Sequence, residues 1–290
     1  MPEKAIAQRV LAMIDESDIP IAPLTRPDLD YTWKLIAKLE KNSNRNYRAA
    51  ARNIRLYVSG FDYIDFAELA KIHQYIDTEL KRLEDKQNTL LLAGLTAAVA
   101  AVRLVFPEKS INKQLEESVL QYLVNMPAKD GLNLSSRLWR IHSGAGRDLK
   151  AIIDIAVQRG WDAVKATQHV TEISGELREA LKNAGSSQIA KRLEDGLLVS
   201  SNNARTKFNR VLRTEINRAH GEQYKETLRQ DPNIYGLKFM LSPRHPRFDI
   251  CDEHAEADLF GLGPGVYPID NCPWPAHPNT FSYVEGVFIK

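Results

Sequence analysis

The chain has 290 residues, with hydrophobic residues at 43% and charged residues at 26%, enough for one large or two ordinary soluble domains with real cores. A formal charge of +2, from 39 basic and 37 acidic residues, is too small to imply nucleic-acid binding by bulk charge, and the basic residues are spread rather than blocked. Two cysteines exclude a disulfide framework and favour a reducing compartment.

The first residues, MPEKAIAQRVLAMIDESD, carry acids and lack an apolar run with a small-residue cleavage site, so no secretory leader is expected there. From Tyr31 to about Gly185 the apolar residues recur at helical spacing, as in Leu35, Ile36 and Leu39, then Leu69, Ile72, Tyr75, Ile76, Leu80 and Leu83. Pro107, Pro127, Gly131, Gly144, Gly146, Gly160 and Gly185 read as breaks between helices. The Ala-rich run LLLAGLTAAVAAVRLVF, residues 90–106, meets Arg103 short of the ~20 apolar residues of a bilayer crossing. It is expected to be a buried or oligomer-facing helix rather than a membrane span.

RTKFNRVLRTEINRAHGEQYKETLRQ, residues 205–230, is the clearest helix, with Phe208, Leu212, Ile216, Ala219, Tyr224 and Leu228 as its apolar stripe. Asp231-Pro232-Asn233 ends it. The period then changes to alternation in YGLKFML (235–241), a strand signal that returns only in FSYVEGVFI (281–289). About forty residues rich in Pro, Gly, His and Asp separate the two strands, too many to stay unorganised without packing or a metal. The expected fold is α+β and mainly α: a helical N-terminal region, 1–130, then a small α+β domain, 131–290, with an antiparallel strand pair and a Cys/His/Pro-rich knuckle.

Within that connection Cys251 and His254 stand two residues apart, and Cys272 and His277 four apart, across an intervening seventeen. Two close pairs of such ligands fit tetrahedral zinc, with His245 a fifth candidate and Asp249, Asp252 and Glu253 placed to orient imidazoles. The same residues also suit a packed loop, because free cysteines are often small buried hydrophobes. A Cys/His nucleophile needs a base within hydrogen-bond reach, which spacing alone does not show. GLGPGV (261–266) is a turn rather than a phosphate loop, since Pro264 interrupts it and no helix follows.

RTEINRAHGEQY, the strand after it, LSPRHPRFDICDEHAEADLFGLGPGVYP and PWPAHPNT together resemble the C-terminal domain of the phage Mu F-like minor head proteins, the phage head morphogenesis family. Arg213, Thr214, Glu215, Arg218 and Ala219 match its helix signature. Asp249, Cys251 and His254 match its knuckle, Gly261 and Tyr267 its loop, and Pro275, His277, Pro278 and Asn279 its final block. LSSRLWRIHSGAGRDLKAIIDIAVQRGWDAVKATQHV (134–170) resembles the family's upstream helix-turn-helix, so the likeness covers about residues 134–288.

The resemblance implies a structural virion protein that assembles with portal and other capsid proteins in the head. Packaged DNA and a second copy of the chain are candidate partners, a membrane is not expected, and the host cytoplasm is the place of assembly. It also implies zinc as candidate cofactor, with Cys251, His254, Cys272 and His277 as ligands. Thr280 departs from the pattern, standing where the family often has a cysteine. Arg213 and Glu215, two apart on a helix, cannot face each other. Arg213 or Arg218 is expected to anchor Asp249 or Asp252 structurally, with no catalytic residue assigned. A metal-dependent nuclease or toxin-like effector built on the Cys/His region is the alternative.

Overall fold

A computed structural model of the chain describes residues 26–61, 66–106, 113–127, 131–158, 204–243, 245 and 248–289. The expectations for the first 25 residues, for Pro107, Gly160 and Gly185 and for the stretch 159–170 lie outside these. The fold is α+β and mainly α. The long helices are α1 (Pro27–Ser59), α2 (Phe66–Ala101, continued by a 3-10 turn, Val102–Leu104), α3 (Lys113–Asn125), α4 (Leu134–Gln158) and α5 (Ala204–Arg229). After α5 come β1 (Ile234–Met240), α6 (Ile250–Glu256), β2 (Val266–Tyr267), a 3-10 turn (Ile269–Asn271) and β3 (Tyr283–Phe288).

Packing divides the chain into two units that cut across the 1–130/131–290 division. One comprises Met1–Leu39, Leu91–Met126 and Arg210–Lys290; the other comprises Glu40–Leu90 and Pro127–Asn209. The reason is helix length: α1, α2 and α5 each pass from one unit into the other, so a helix boundary is not a unit boundary.

In the unit of Glu40–Leu90 and Pro127–Asn209, α1 and α2 pack through Ile54, Ile72, Ile76, Leu80 and Leu83, all buried as their helical spacing requires. Tyr57 stacks on Tyr75 with ring centroids 3.9 Å apart. Asn53 donates to Glu79, and Gln87 to Ser43. Fully buried Tyr47 reaches His142 Nε2 at 3.1 Å and the Ala204 carbonyl at 3.2 Å, tying α1 to α4 and α5. Gly144 and Gly146 do not break a helix; both lie inside α4. A Cβ on Gly146 would come within 3.2 Å of Leu80, so this glycine serves a close approach of α4 to α2.

In the other unit, the Ala-rich run forms the C-terminal half of α2. Leu91, Leu95, Ala97, Ala98, Val99, Ala101 and Val102 are buried. Its Gly94 faces Leu39 of α1 and Ile216 of α5, and a Cβ there would meet both at 2.6 Å. By length and composition Ala67–Leu104 could cross a membrane, but half of its most apolar window is buried within the protein. On α5 the stripe Leu212, Ile216, Ala219, Tyr224 and Leu228 is buried throughout, as is Phe208 in the unit of Pro127–Asn209, as expected.

The strand pair is part of a three-stranded antiparallel sheet of order β2-β1-β3. Leu237 lies opposite Tyr267, and Phe239 opposite Val284, so the inward face of β1 meets apolar partners on both sides. These residues, with Tyr224 and Leu228 of α5, Cys251 of α6, and Trp274, form one core. The glycine turn ends at Gly265, whose φ of 72° and whose contact with Ala255 (a Cβ would lie 2.4 Å from its carbonyl oxygen) admit no side chain. The long inter-strand connection is thus organised by a short helix, a third strand and packing.

Candidate functional site

Asp249 opens α6 as a capping box. Its carboxylate accepts from the Cys251 amide (2.7 Å), while Asp252 reaches back to the Asp249 amide (2.8 Å). This reciprocal pair fixes the first turn and aims Cys251 into the core, where it is fully buried. The oxygens of the capping box, Asp252 Oδ2 and Asp249 Oδ1, also face His245. His245 Nε2 lies 2.7 Å from Asp252 Oδ2 and 3.8 Å from Asp249 Oδ1.

His277 arrives from the Pro-rich segment before β3. Its Nδ1 donates to the Pro278 carbonyl at 2.8 Å, since a carbonyl only accepts, and in the neutral ring this leaves Nε2 as the acceptor. Nε2 lies 3.2 Å from Cys251 Sγ and 3.3 Å from Asp249 Oδ2. A ring acceptor facing a carboxylate oxygen needs a proton or a cation between them. The two separations are close to the edges of about 3.5 Å that tetrahedral zinc imposes on its N, O and S ligands. Asp249, Cys251 and His277 form one group whose ligand atoms lie within 4.8 Å of one another, and His245, Asp249 and Asp252 form a second, sharing Asp249.

The electrostatics disfavour nucleophilic attack. Burial pushes the Cys251 thiol up, against hydrogen bonds from Ser282 and Thr280. A nucleophilic cysteine needs the reverse, a lowered pKa and access. Burial also opposes ionisation of Asp249, but the hydrogen bonds from Cys251 and the nearby His277 and His245 hold its carboxyl below the usual range. Thr280 occupies a place beside the thiol: its Oγ1 is 3.4 Å from Sγ and accepts from the Ser282 amide at 3.1 Å.

Of the four expected ligands, Cys251 and His277 meet. His254 and Cys272 belong to neither ligand group. His254 lies on α6 with its ring against Phe239 (centroids 5.6 Å apart), and its carbonyl accepts from the Tyr267 hydroxyl. Cys272 packs on the core, and burial pushes its thiol up to about 11. Three positions along α6, residue 254 is on the same face as Cys251, but its ring is taken up by Phe239 of β1. Asp249, five residues before His254, takes its place in the group.

Asp249 faces His277 and Asp252 faces His245. Arg218 instead pairs with Glu215 at 3.1 Å, and the Arg213 guanidinium lies 5.8 Å from the Phe281 ring centroid. Contact between the α5 signature and the final block is made by other residues. Thr214 Oγ1 accepts from the Asn279 amide (3.1 Å), and Asn217 donates to the Thr280 carbonyl (3.1 Å).

A second polar cluster of this unit escaped the sequence reading. Asp28, in the first turn of α1, is fully buried and accepts from Arg26 (2.6 Å) and from His220 Nε2 (2.8 Å) on α5. Arg26 also donates to the Val284 carbonyl of β3 and stacks over Tyr224, with Cζ 4.1 Å from the ring centroid. Burial opposes ionisation of Asp28, but His220 and Arg26 hold its carboxyl down at about 2. Burial pulls His220 below its ordinary value despite Asp28. The cluster is therefore a neutral set at pH 7: arginine cation, aspartate anion, uncharged imidazole. The one available signal was His220 beside the apolar stripe of α5; its partner lies 192 residues away.

The chain matches no protein-family model, no curated protein and no solved structure.

Proposed function

We propose that the protein is a structural head-assembly component of a tailed phage or prophage, acting with portal and other capsid proteins, and that its C-terminal knuckle is fastened by zinc. The observation that carries this reading is the convergence of the motif segments. The Arg213-Thr214-Glu215 helix, the Asp249–His254 turn and the Pro275–Asn279 block are far apart in sequence, yet hydrogen bonds from Asn279 to Thr214, and the contacts of His277 with Cys251 and Asp249, join them. A thiol buried away from solvent is not placed for attack, and zinc would hold it as the thiolate, displacing its proton. Zinc would be held by Asp249, Cys251 and His277, and would supply the charge that the facing acceptors lack.

Two measurements test it. Mass spectrometry of purified particles and a pull-down with the portal and scaffold proteins of the same genome should recover the chain in small amounts. Absence from both defeats the assembly role. Separately, plasma emission spectroscopy should find about one zinc per chain, lost in Cys251→Ala and His277→Ala. Excess zinc at about 100 times its Kd should stabilise the wild type by about 2.7 kcal/mol and leave the variants unmoved.

A metal-dependent nuclease is the second reading, favoured by the histidine–carboxylate pairs on both sides of Asp249. Metal-dependent nicking of plasmid DNA, abolished in His277→Ala, would put it first.

A further inference from the structure

From Lys41 to Ser59, α1 carries Lys41, Arg45, Arg48, Arg52 and Arg55 and no acidic residue. Their spacing of four, three, four and three places all five within about 80° of the helix circumference, on a ridge about 21 Å long. All five are exposed, whereas Ser43, Tyr47, Ala50, Ala51, Ile54 and Val58 are buried on the opposite side. Among the described residues no ion pair engages Arg45, Arg48 or Arg52.

Solvated helix faces usually mix signs, and those of α2 and α3 do so: Lys81 lies beside Glu84 and Asp85, and Lys113 beside Glu117. Along the α1 ridge every neighbour at three or four residues repels the next, which weakens the helix. Among the described residues, the acidic side chain of α2 that contacts α1 is already paired: Glu79, which meets α1 at Asn53, is paired with Arg82. The start of α5, which meets α1 at Asn209 and Ser43, carries Arg205 and Lys207 and no acidic residue before Glu215.

We infer that this ridge binds the phosphate backbone of duplex nucleic acid. Four arginines are the residue type that pairs with phosphate oxygens through a planar fork and sheds water readily. A row of cations one helical turn apart faces a duplex that presents one negative charge per about 1.7 Å of axis. Contacts of this kind position a protein without reading sequence. The inference stands on α1 and goes beyond the head-assembly reading, since it does not involve the knuckle.

The test is fluorescence anisotropy of the full chain with a labelled 30-base-pair DNA duplex, and an RNA duplex of the same sequence, from 50 to 300 mM salt. The wild type should bind with a slope of log K against log salt of about −4, little affected by base sequence. Arg45→Gln/Arg48→Gln/Arg52→Gln should weaken binding at least tenfold and flatten the slope by about three. Its melting temperature should be unchanged or higher, because repulsion is removed. Lys71→Gln/Lys86→Gln/Lys113→Gln, equal in charge, should bind like the wild type. The DNA-to-RNA ratio identifies the source of the phosphates. Equal loss in both triple variants, no loss in the arginine variant, or no duplex binding by the wild type overturns the inference. So does arginine-dependent flotation with phosphatidylserine vesicles in the absence of arginine-dependent duplex binding. Recovery of the chain from particles is independent of every one of these results.

Discussion

Asp28→Ala should destabilise the protein by about 3–5 kcal/mol in urea unfolding at pH 7.5, the range for breaking a buried ion pair from one side. The substitution removes an anion that is fully buried and strands two groups: Arg26, whose other contacts include the Val284 carbonyl and the Tyr224 and Tyr283 rings, and His220 in the middle of α5. An uncompensated guanidinium at this depth has no water to turn to. A loss under about 1 kcal/mol would mean that the cluster is solvated and not a rivet.

The same cluster sets an acid limit. A carboxyl held at about 2, against 3.8 unfolded, contributes stability that is fully present above about pH 4 and is lost as pH falls toward 2. Its size is about 2 kcal/mol. His220 is also pulled down, so the unfolded chain takes up a proton first, and stability begins to fall below the unfolded value of 6.5. Both effects have one sign: acid destabilises. His220→Gln should flatten the dependence between pH 7.5 and 5.5, with a residual slope from His142, which burial also pulls down.

Gly221→Ala should destabilise by about 3 kcal/mol, although alanine in place of glycine inside a helix ordinarily stabilises by about 1. A Cβ at this position would lie 2.0–2.8 Å from three ring atoms of Trp274. The indole cannot step aside cheaply, because its Nε1 donates to the Ser282 carbonyl at 2.9 Å and its ring belongs to the core of the sheet unit. Trp274→Ala alone should cost about 3–5 kcal/mol. In the Trp274→Ala background, Gly221→Ala should turn stabilising, and a double-mutant cycle by thermal unfolding reads that change of sign. Simple additivity would show that the two residues do not touch.

Much of the fold was open to reading in one dimension. The apolar stripe of α5, the change of period at Tyr235, and the helical character of the Ala-rich run depend on spacing within one element, and neighbouring residues enforce that spacing. The capping box of Asp249 and Asp252 and the closeness of Cys251 to His277 were legible only in part. Residue types announced a ligand-bearing loop, but which of Cys251, His254, Cys272 and His277 meet depends on the turn of α6 and on the core that captures His254 and Cys272. Gly144 and Gly146 read as breaks because glycine weakens a helix, whereas tertiary contact decided that Gly146 serves close packing.

The amino-acid sequence by itself determined the class of the fold, the stripe that buries α5, and a Cys/His/Pro-rich connection that something must organise. Only the tertiary structure decided that Asp249 rather than His254 joins Cys251 and His277, that Asp28 meets His220, and that the basic residues of α1 line up opposite a buried face. The difference lies in range. Periodicity records interactions a few residues apart, while ligand sets and buried ion pairs are settled by loop closure across as many as 192 residues. A count of +2 describes the whole chain, but the field at a surface depends on which side of a helix each charge occupies.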